Sequence, residues 1–271
     1  MVTVHNFSYG ALNPALGYLM SCIGGFLGLR CVALSRAYEG YAKARWLGLA
    51  AVSIGAIGIW TMHFIAMLGF TVPGMPILYN VPMTVGSMLL AVAVVGVGLF
   101  IVGYGVGGWP RLLASGTIVG VGVSAMHYLG MAAMSMPGTM SYNWLLVAAS
   151  VLIGIVAGTV ALWLGTWIRG VAATSGAALI MGVAVCGLHY TGMAALHIHV
   201  TAMPSVAVTQ VTGSTGAYGA TAADFIIPLV VAVSLATFLL MLALSLSPSE
   251  DEVRADAQQR RQLEFLQYRG A

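Results

Sequence analysis

The stretch WLGLAAVSIGAIGIWTMHFIAML, residues 46–68, contains a single ionisable side chain, His63. At about 1.5 Å of rise per residue it makes a helix of about 35 Å. That exceeds the roughly 30 Å hydrocarbon core of a bilayer, so the stretch reads as a transmembrane helix. An ionisable residue inside such a helix is costly, and a functional role is the default hypothesis for it.

Six similar runs surround this one. The expected spans are Asn13–Leu34, Trp46–Leu68, Pro82–Tyr104, Leu112–Met136, Asn143–Trp167, Thr174–Leu196 and Ala223–Leu246. Hydrophobic residues make up 60% of the chain and charged residues 6%, whereas a soluble domain carries about 25% charged residues. The 35 glycines fit the close approach of membrane helices. The expected fold is all-α, a polytopic membrane bundle of seven transmembrane helices. Residues 1–247 form the membrane domain and 248–271 a short charged tail. The segment before the first span lacks a basic n-region, so no cleavable signal peptide is expected.

Basic residues orient the bundle. Arg30, Arg36, Lys43 and Arg45 lie around the first connection, Arg111 in the third, Arg169 in the fifth, and Arg254, Arg260, Arg261 and Arg269 in the tail. Even-numbered connections contain none. By the positive-inside rule the N-terminus is outside and the C-terminus cytoplasmic. Trp46, Trp109, Trp163 and Trp167 fall near the inner boundary and are expected to act as interfacial anchors. The net charge of +3 is scattered over membrane boundaries and indicates no nucleic-acid partner.

The decisive stretch recurs. Trp60-Thr-Met-His-Phe-Ile-Ala-Met67, Ser124-Ala-Met-His-Tyr-Leu-Gly-Met131 and Gly187-Leu-His-Tyr-Thr-Gly-Met193 share histidine, an aromatic, two residues and methionine. Pro73-Gly74 and Pro137-Gly138 follow the first two copies at one offset, and the third has Met203-Pro204 further on. The repeat therefore reads as a helix pair used three times, with one extra N-terminal helix. All three motifs sit on even-numbered helices, about 16 to 20 residues beyond the last inner basic residue. That is about 24 to 30 Å of rise, which places each histidine just beneath the outer boundary.

Residues four apart share a helix face. His63 with Met67, His127 with Met131, and His189 with Met193 therefore form candidate ligand pairs. Imidazole and thioether suit copper, above all Cu(I). Met62 and Met126 point about 100° away from their neighbouring histidines and are weaker candidates. Cys186 lies one turn before His189 and is a possible thiolate ligand. His197 and His199 stand just outside the sixth helix, where they are placed to pass metal inward, with His5 a more remote candidate for the same task. Cys22 and Cys31 lie at different depths, so no disulfide is expected. The loop Thr201–Ala222 is a candidate lid.

Three His-aromatic-x-x-Met copies on alternate helices of a seven-helix bundle resemble the bacterial MHYT domain, across essentially residues 1–247. The copies read Met-His-Phe-Ile, Met-His-Tyr-Leu and Leu-His-Tyr-Thr, so none spells the family name in full. The resemblance implies a sensor module in the bacterial inner membrane. It implies one or more copper ions, Cu(I) or Cu(II), near the outer face, held by His63, Met67, His127, Met131, His189 and Met193. Dioxygen, nitric oxide or carbon monoxide, or the redox or copper state, is then the sensed quantity. Such domains often precede cyclic-di-GMP-metabolising or other signalling domains. Ser247-Pro248-Ser249-Glu250 reads as a capped helix start, and the tail after it is too short for a catalytic output. No enzyme activity is expected from this chain, and the tail would meet a signalling partner or a second copy. Besides the lipid bilayer, no other partner is implied.

Three alternatives stand beside that reading. A haem protein would use two of the histidines as axial ligands. A copper carrier would need a ligand path through the membrane, which the inner halves of the second and fourth helices lack. A metal-dependent membrane oxidoreductase would need a buried acid or base besides the histidines.

Overall fold

The computed structural model describes residues 8–73, 77–105, 108–136, 138–199 and 220–248, with positions 252, 253, 255, 256, 258, 259 and 262 beyond. Seven helices are long and apolar enough to cross a membrane. They are α1 (Leu12–Ser35), α2 (Gly40–Leu68), α3 (Val81–Tyr104), α4 (Trp109–Ala132), α5 (Trp144–Trp167), α6 (Val171–Ala194) and α7 (Ala222–Ser245). The ends fall within a few residues of the apolar runs. Two larger departures have local causes. At its start α2 reaches back to Gly40, through Lys43 and Arg45. The fourth span ends at Ala132 rather than Met136, because Met134–Ser135 turns into a strand.

Helices α1 to α6 close a ring, each packed on the next and α6 returning to α1. Helix α7 lies outside it. Only 6% of its apolar window is buried, against 78% for α2. Sequence order makes the first helix the supernumerary one, whereas by packing the helix outside the ring is α7. The ring position that follows α6 is filled by α1. Three equivalent backbone bonds show how the helices pair: the N–H groups of Ser8, Asn80 and Asn143 donate to the carbonyls of Gly69, Ala133 and Ala195, at 3.0, 2.8 and 2.8 Å. Each bond ties the entry of an odd helix to the exit of the even helix that follows it. Asn80 and Asn143 also cap α3 and α5, accepting from the N–H groups of Met83 and Leu145. These side chains satisfy donors that a helix start leaves unpaired.

The end of the bundle where the even helices finish carries the strands β1 (Leu78–Tyr79), β2 (Met134–Ser135), β3 (Thr139–Tyr142), β4 (Leu196–His199) and β5 (Ala220–Thr221). They form two antiparallel pieces, ordered β2-β1-β5 and β3-β4. Of the four tryptophans expected at the opposite boundary, Trp109, Trp163 and Trp167 are exposed. Trp46 is not an anchor: it is only 2% exposed, because α2 is enclosed by α1 on one side and α3 on the other.

Within α2, residues Ser53–Trp60 are π-helical. Thr61 donates its hydroxyl to the Ala56 carbonyl, five residues back, at 2.9 Å, and Ser53 donates to Gly24 of α1 at 2.8 Å. Such wide turns inside α-helices are frequent at functional sites, and this one ends three residues before His63.

At the opposite end of the bundle, Arg36 follows α1 and donates to the carbonyls of Gly165, Thr166 and Ile168 at the end of α5, at 2.6, 3.2 and 3.0 Å. A cation there also meets the negative end of the helix dipole. Arg36→Ala is expected to cost about 1.5–3 kcal/mol, the range for hydrogen bonds from charged groups. The thermal midpoint in detergent measures this, and an unchanged midpoint would mean that water replaces the guanidinium.

Candidate metal centre

His63, His127 and His189 each stand five residues before the end of their helix. The three helices are placed alternately around the ring and end at the same level, so the side chains meet on its axis. They are 3%, 1% and 1% exposed. The Nδ1 atom of His63 lies 3.1 Å from Nδ1 of His127 and 3.1 Å from Nδ1 of His189. The rings stand edge to face, with centroids 5.0, 5.1 and 5.0 Å apart. Among the described residues this is the one group of three or more His, Cys, Asp or Glu side chains with convergent ligand atoms.

The cluster does not satisfy itself. A neutral imidazole has one N–H and one acceptor nitrogen. His63 Nδ1 faces two other Nδ1 atoms, yet a single hydrogen bridges only one pair. Nε2 of His127 is buried with no hydrogen-bond partner among the described residues, and a buried polar atom left so is costly. A cation among the three Nδ1 lone pairs would remove the crowding of acceptors there and leave each ring its N–H on Nε2. Metal–nitrogen bonds of about 2.0–2.1 Å place trigonal or tetrahedral ligands about 3.3–3.6 Å apart. The observed separations differ from that by a few tenths of an ångström. Three imidazoles suit zinc, copper, iron or nickel, and an added thioether favours Cu(I).

The far sides of the rings are held by small residues. Nε2 of His63 lies 2.3 Å from where a Cβ on Gly130 would sit, and Nε2 of His127 lies 2.4 Å from the same point at Gly192. Gly130 and Gly192 each come three residues after the histidine of their own helix. Each therefore seats the histidine of another. The matching residue of the first copy is Ala66, 3% exposed. Our reading of the motif missed this role, although its signal was present: the third residue after every histidine is Ala or Gly.

Aromatic neighbours surround the cluster. Tyr128 lies 4.9 Å from the His127 ring and shares a 2.7 Å hydrogen bond with Ser150 of α5. Phe64, beside His63, packs against Trp60, Tyr79 and Phe225 at 5.3, 5.7 and 5.2 Å. Phe225 belongs to α7, so the outlying helix touches the ring one residue from a candidate ligand. Tyr79 donates to the Met67 carbonyl at 3.2 Å, and burial pushes its phenol pKa up.

The other candidates are distributed as follows. Met67, Met131 and Met193 are buried, one turn beyond their histidines. Met62 and Met126 are buried too, and Met62 packs against Gly17 of α1. Cys186 is half-buried and outside the histidine cluster. Cys22 and Cys31 are free thiols. His197 and His199 lie on β4, opposite Ser141 and Thr139 of β3, and Nε2 of His199 is 3.1 Å from the Ser141 hydroxyl. Among the candidates, His5, Gly74, Pro137, Met203-Pro204, the loop over 201–219, and Ser249-Glu250 of the tail cap lie outside the described residues.

The family model described as the bacterial signalling protein N-terminal repeat, MHYT, matches twice, at residues 57–115 and 120–179. Each match contains one of the histidines, His63 or His127. The chain belongs to the MHYT family. Its third MHYT-type histidine, His189, lies past the matched residues, but the structure brings it to the other two. The chain is 36% identical over 193 residues to the bifunctional diguanylate cyclase/cyclic di-GMP phosphodiesterase MucR of Pseudomonas aeruginosa, covering 69% of this chain and 28% of that protein. It is 34% identical over 206 residues to the cyclic di-GMP phosphodiesterase NbdA of the same organism, covering 73% and 26%. It is 26% identical over 204 residues to the signalling protein YkoW of Bacillus subtilis, covering 71% and 24%. The chain spans about a quarter of the length of these relatives. No solved structure matches it. An MHYT signalling domain with seven helices able to span a membrane is a multi-pass membrane protein.

Proposed function

We propose that this MHYT domain is a copper-binding sensor of the bacterial inner membrane, reporting a diatomic gas or the redox or copper state to the cytoplasm. The observation that carries the reading is the convergence of three Nδ1 atoms from three helices, with 3.1 Å from His63 to each of the other two. His63, His127 and His189 hold the ion, and Met67, Met131 and Met193 stand one turn away as softer donors. Copper held there would supply a one-electron redox change. The strand-capped end faces outward and the end bearing Lys43, Arg45, Arg111 and Arg169 faces the cytoplasm, in keeping with the positive-inside rule. By analogy with MucR and NbdA, the output is cyclic di-GMP turnover, reached through the segment after α7 or through a partner that meets it.

Two observations favour this over the alternatives. Rings meeting edge to face at 5.0–5.1 Å leave no flat slot for a macrocycle between them, which favours an ion over haem. The described lining of the bundle axis is almost wholly apolar, which favours a fixed site over a carrier's path.

The test is the metal content and optical spectrum of the purified protein, beside a His63→Ala/His127→Ala/His189→Ala variant. Copper in the parent and none in the folded variant is the expected result, whereas a haem band or equal copper in both would sink the proposal. Gly130→Ala provides a subtler check. Its added methyl would press on the His63 ring from a helix backbone, so copper affinity is expected to fall by about 10–100-fold, as when a supporting group is disturbed. Unchanged affinity would mean that the ring has room to move.

A further inference from the structure

A cavity of about 60 Å³ lies inside the ring, lined by residues of all six ring helices. Its relation to the histidines is regular. Ile59, Val123 and Val185 all line it, and each precedes a histidine of the cluster by four residues on the same helix. Four residues are one turn, so each lies on its histidine's face. The histidine cluster therefore stands one helical turn from the cavity, on the bundle axis.

The lining selects what can enter. Ser21 has the one polar side chain among the described lining residues, and Gly25, Gly58, Gly154, Gly158 and Gly165 leave the space open. A buried water needs two to four polar partners and about 10–15 Å³. The volume suffices for water, but the partners are missing. Cavities lined by Leu, Ile and Phe stay dry and take up xenon or benzene, the latter in about 150 Å³. This one is smaller. Ions are excluded by the cost of losing their hydration.

We infer that the axial cavity is a binding site for one small, uncharged, weakly polar molecule of the size of a diatomic gas, held one turn from the histidines. It rests on the proposed sensor reading for its purpose, and it needs no metal to exist. Molecules of this class dissolve readily in hydrocarbon, so the bilayer around the bundle is their reservoir.

Xenon is the probe. The full chain in lipid nanodiscs is titrated with xenon and followed by xenon NMR, beside empty nanodiscs and the variants Val123→Phe and Ala157→Leu, both of which fill lining positions. A saturable signal in the parent, absent from empty nanodiscs and at least tenfold weaker in a folded filled variant, is the expected result. Uptake that rises linearly like the lipid blank overturns the inference, and so does saturable binding that survives in the filled variants. Ala157 is half-buried and gives a second variant should Val123→Phe not fold. Metal content measured on the same samples separates the two readings. Saturable xenon without copper removes the metal centre and leaves the cavity, and copper without saturable xenon does the reverse.

Discussion

Replacing His63 with alanine is expected to reduce bound copper to background, a loss in affinity above the roughly 100-fold that removing a group hydrogen-bonded to a ligand can cost. His63 is the hub of the cluster: its Nδ1 is the atom that lies 3.1 Å from both other histidines. Without it, the two remaining imidazoles are a pair on helices α4 and α6 with no third ligand to fix the ion. Met67→Leu is the informative companion, because it keeps the volume of a buried side chain and removes only the sulfur. If thioethers complete the site, Met67→Leu weakens copper retention against a Cu(I) chelator while the protein still binds metal. If the three imidazoles suffice, Met67→Leu behaves as the parent does. Elemental analysis of monodisperse protein reads both variants, and full copper occupancy in folded His63→Ala would remove the centre from consideration.

Gly24→Ala is expected to be among the most damaging single-methyl changes in the bundle. A Cβ at Gly24 would lie 2.3 Å from the backbone nitrogen of Gly58, 2.5 Å from its Cα and 2.6 Å from the Ser53 carbonyl oxygen. All three are backbone atoms, so no rotamer change relieves the clash and α1 must move away from α2. Overpacking costs about 1–3 kcal/mol where side chains give way, and a backbone contact belongs at or above the top of that range. The contact also falls on the π-helical stretch Ser53–Trp60 that leads to His63, so copper binding is expected to weaken with stability. Gly86→Ala is the control, since nothing lies within 4 Å of a Cβ there. Thermal unfolding in detergent compares the two. A Gly24→Ala midpoint no lower than that of Gly86→Ala would show that the helices tolerate separation.

Much of this protein was legible from residue order. Each expected span overlaps a helix over most of its length, because about twenty apolar residues in water have no other low-energy fate than burial in a bilayer. That the histidines share one level was legible too: the sequence spaced all three alike, and each stands five residues from a helix end. Span ends were less so. Leu112–Met136 slid four residues past the true end at Ala132, since hydropathy records that Met134 is apolar and not that its backbone bonds as a strand. Within the motif, the His–Met spacing drew attention to pairs along one helix. The structure instead joins histidines across three helices, and it assigns the intervening Gly130 and Gly192 to seating another helix's ring.

The sequence by itself determined the seven helices, the level of the three histidines and the family. Only the tertiary structure decided that α1 closes the ring while α7 stays outside, that three Nδ1 atoms converge, and that an apolar cavity lies one turn from them. The physical reason is that these helices are apolar on nearly every face, so no periodic stripe of hydrophobicity marks which side meets a neighbour. In a membrane that choice falls to close packing at small residues. Packing of that kind depends on which backbones can touch, and no single helix carries that information alone.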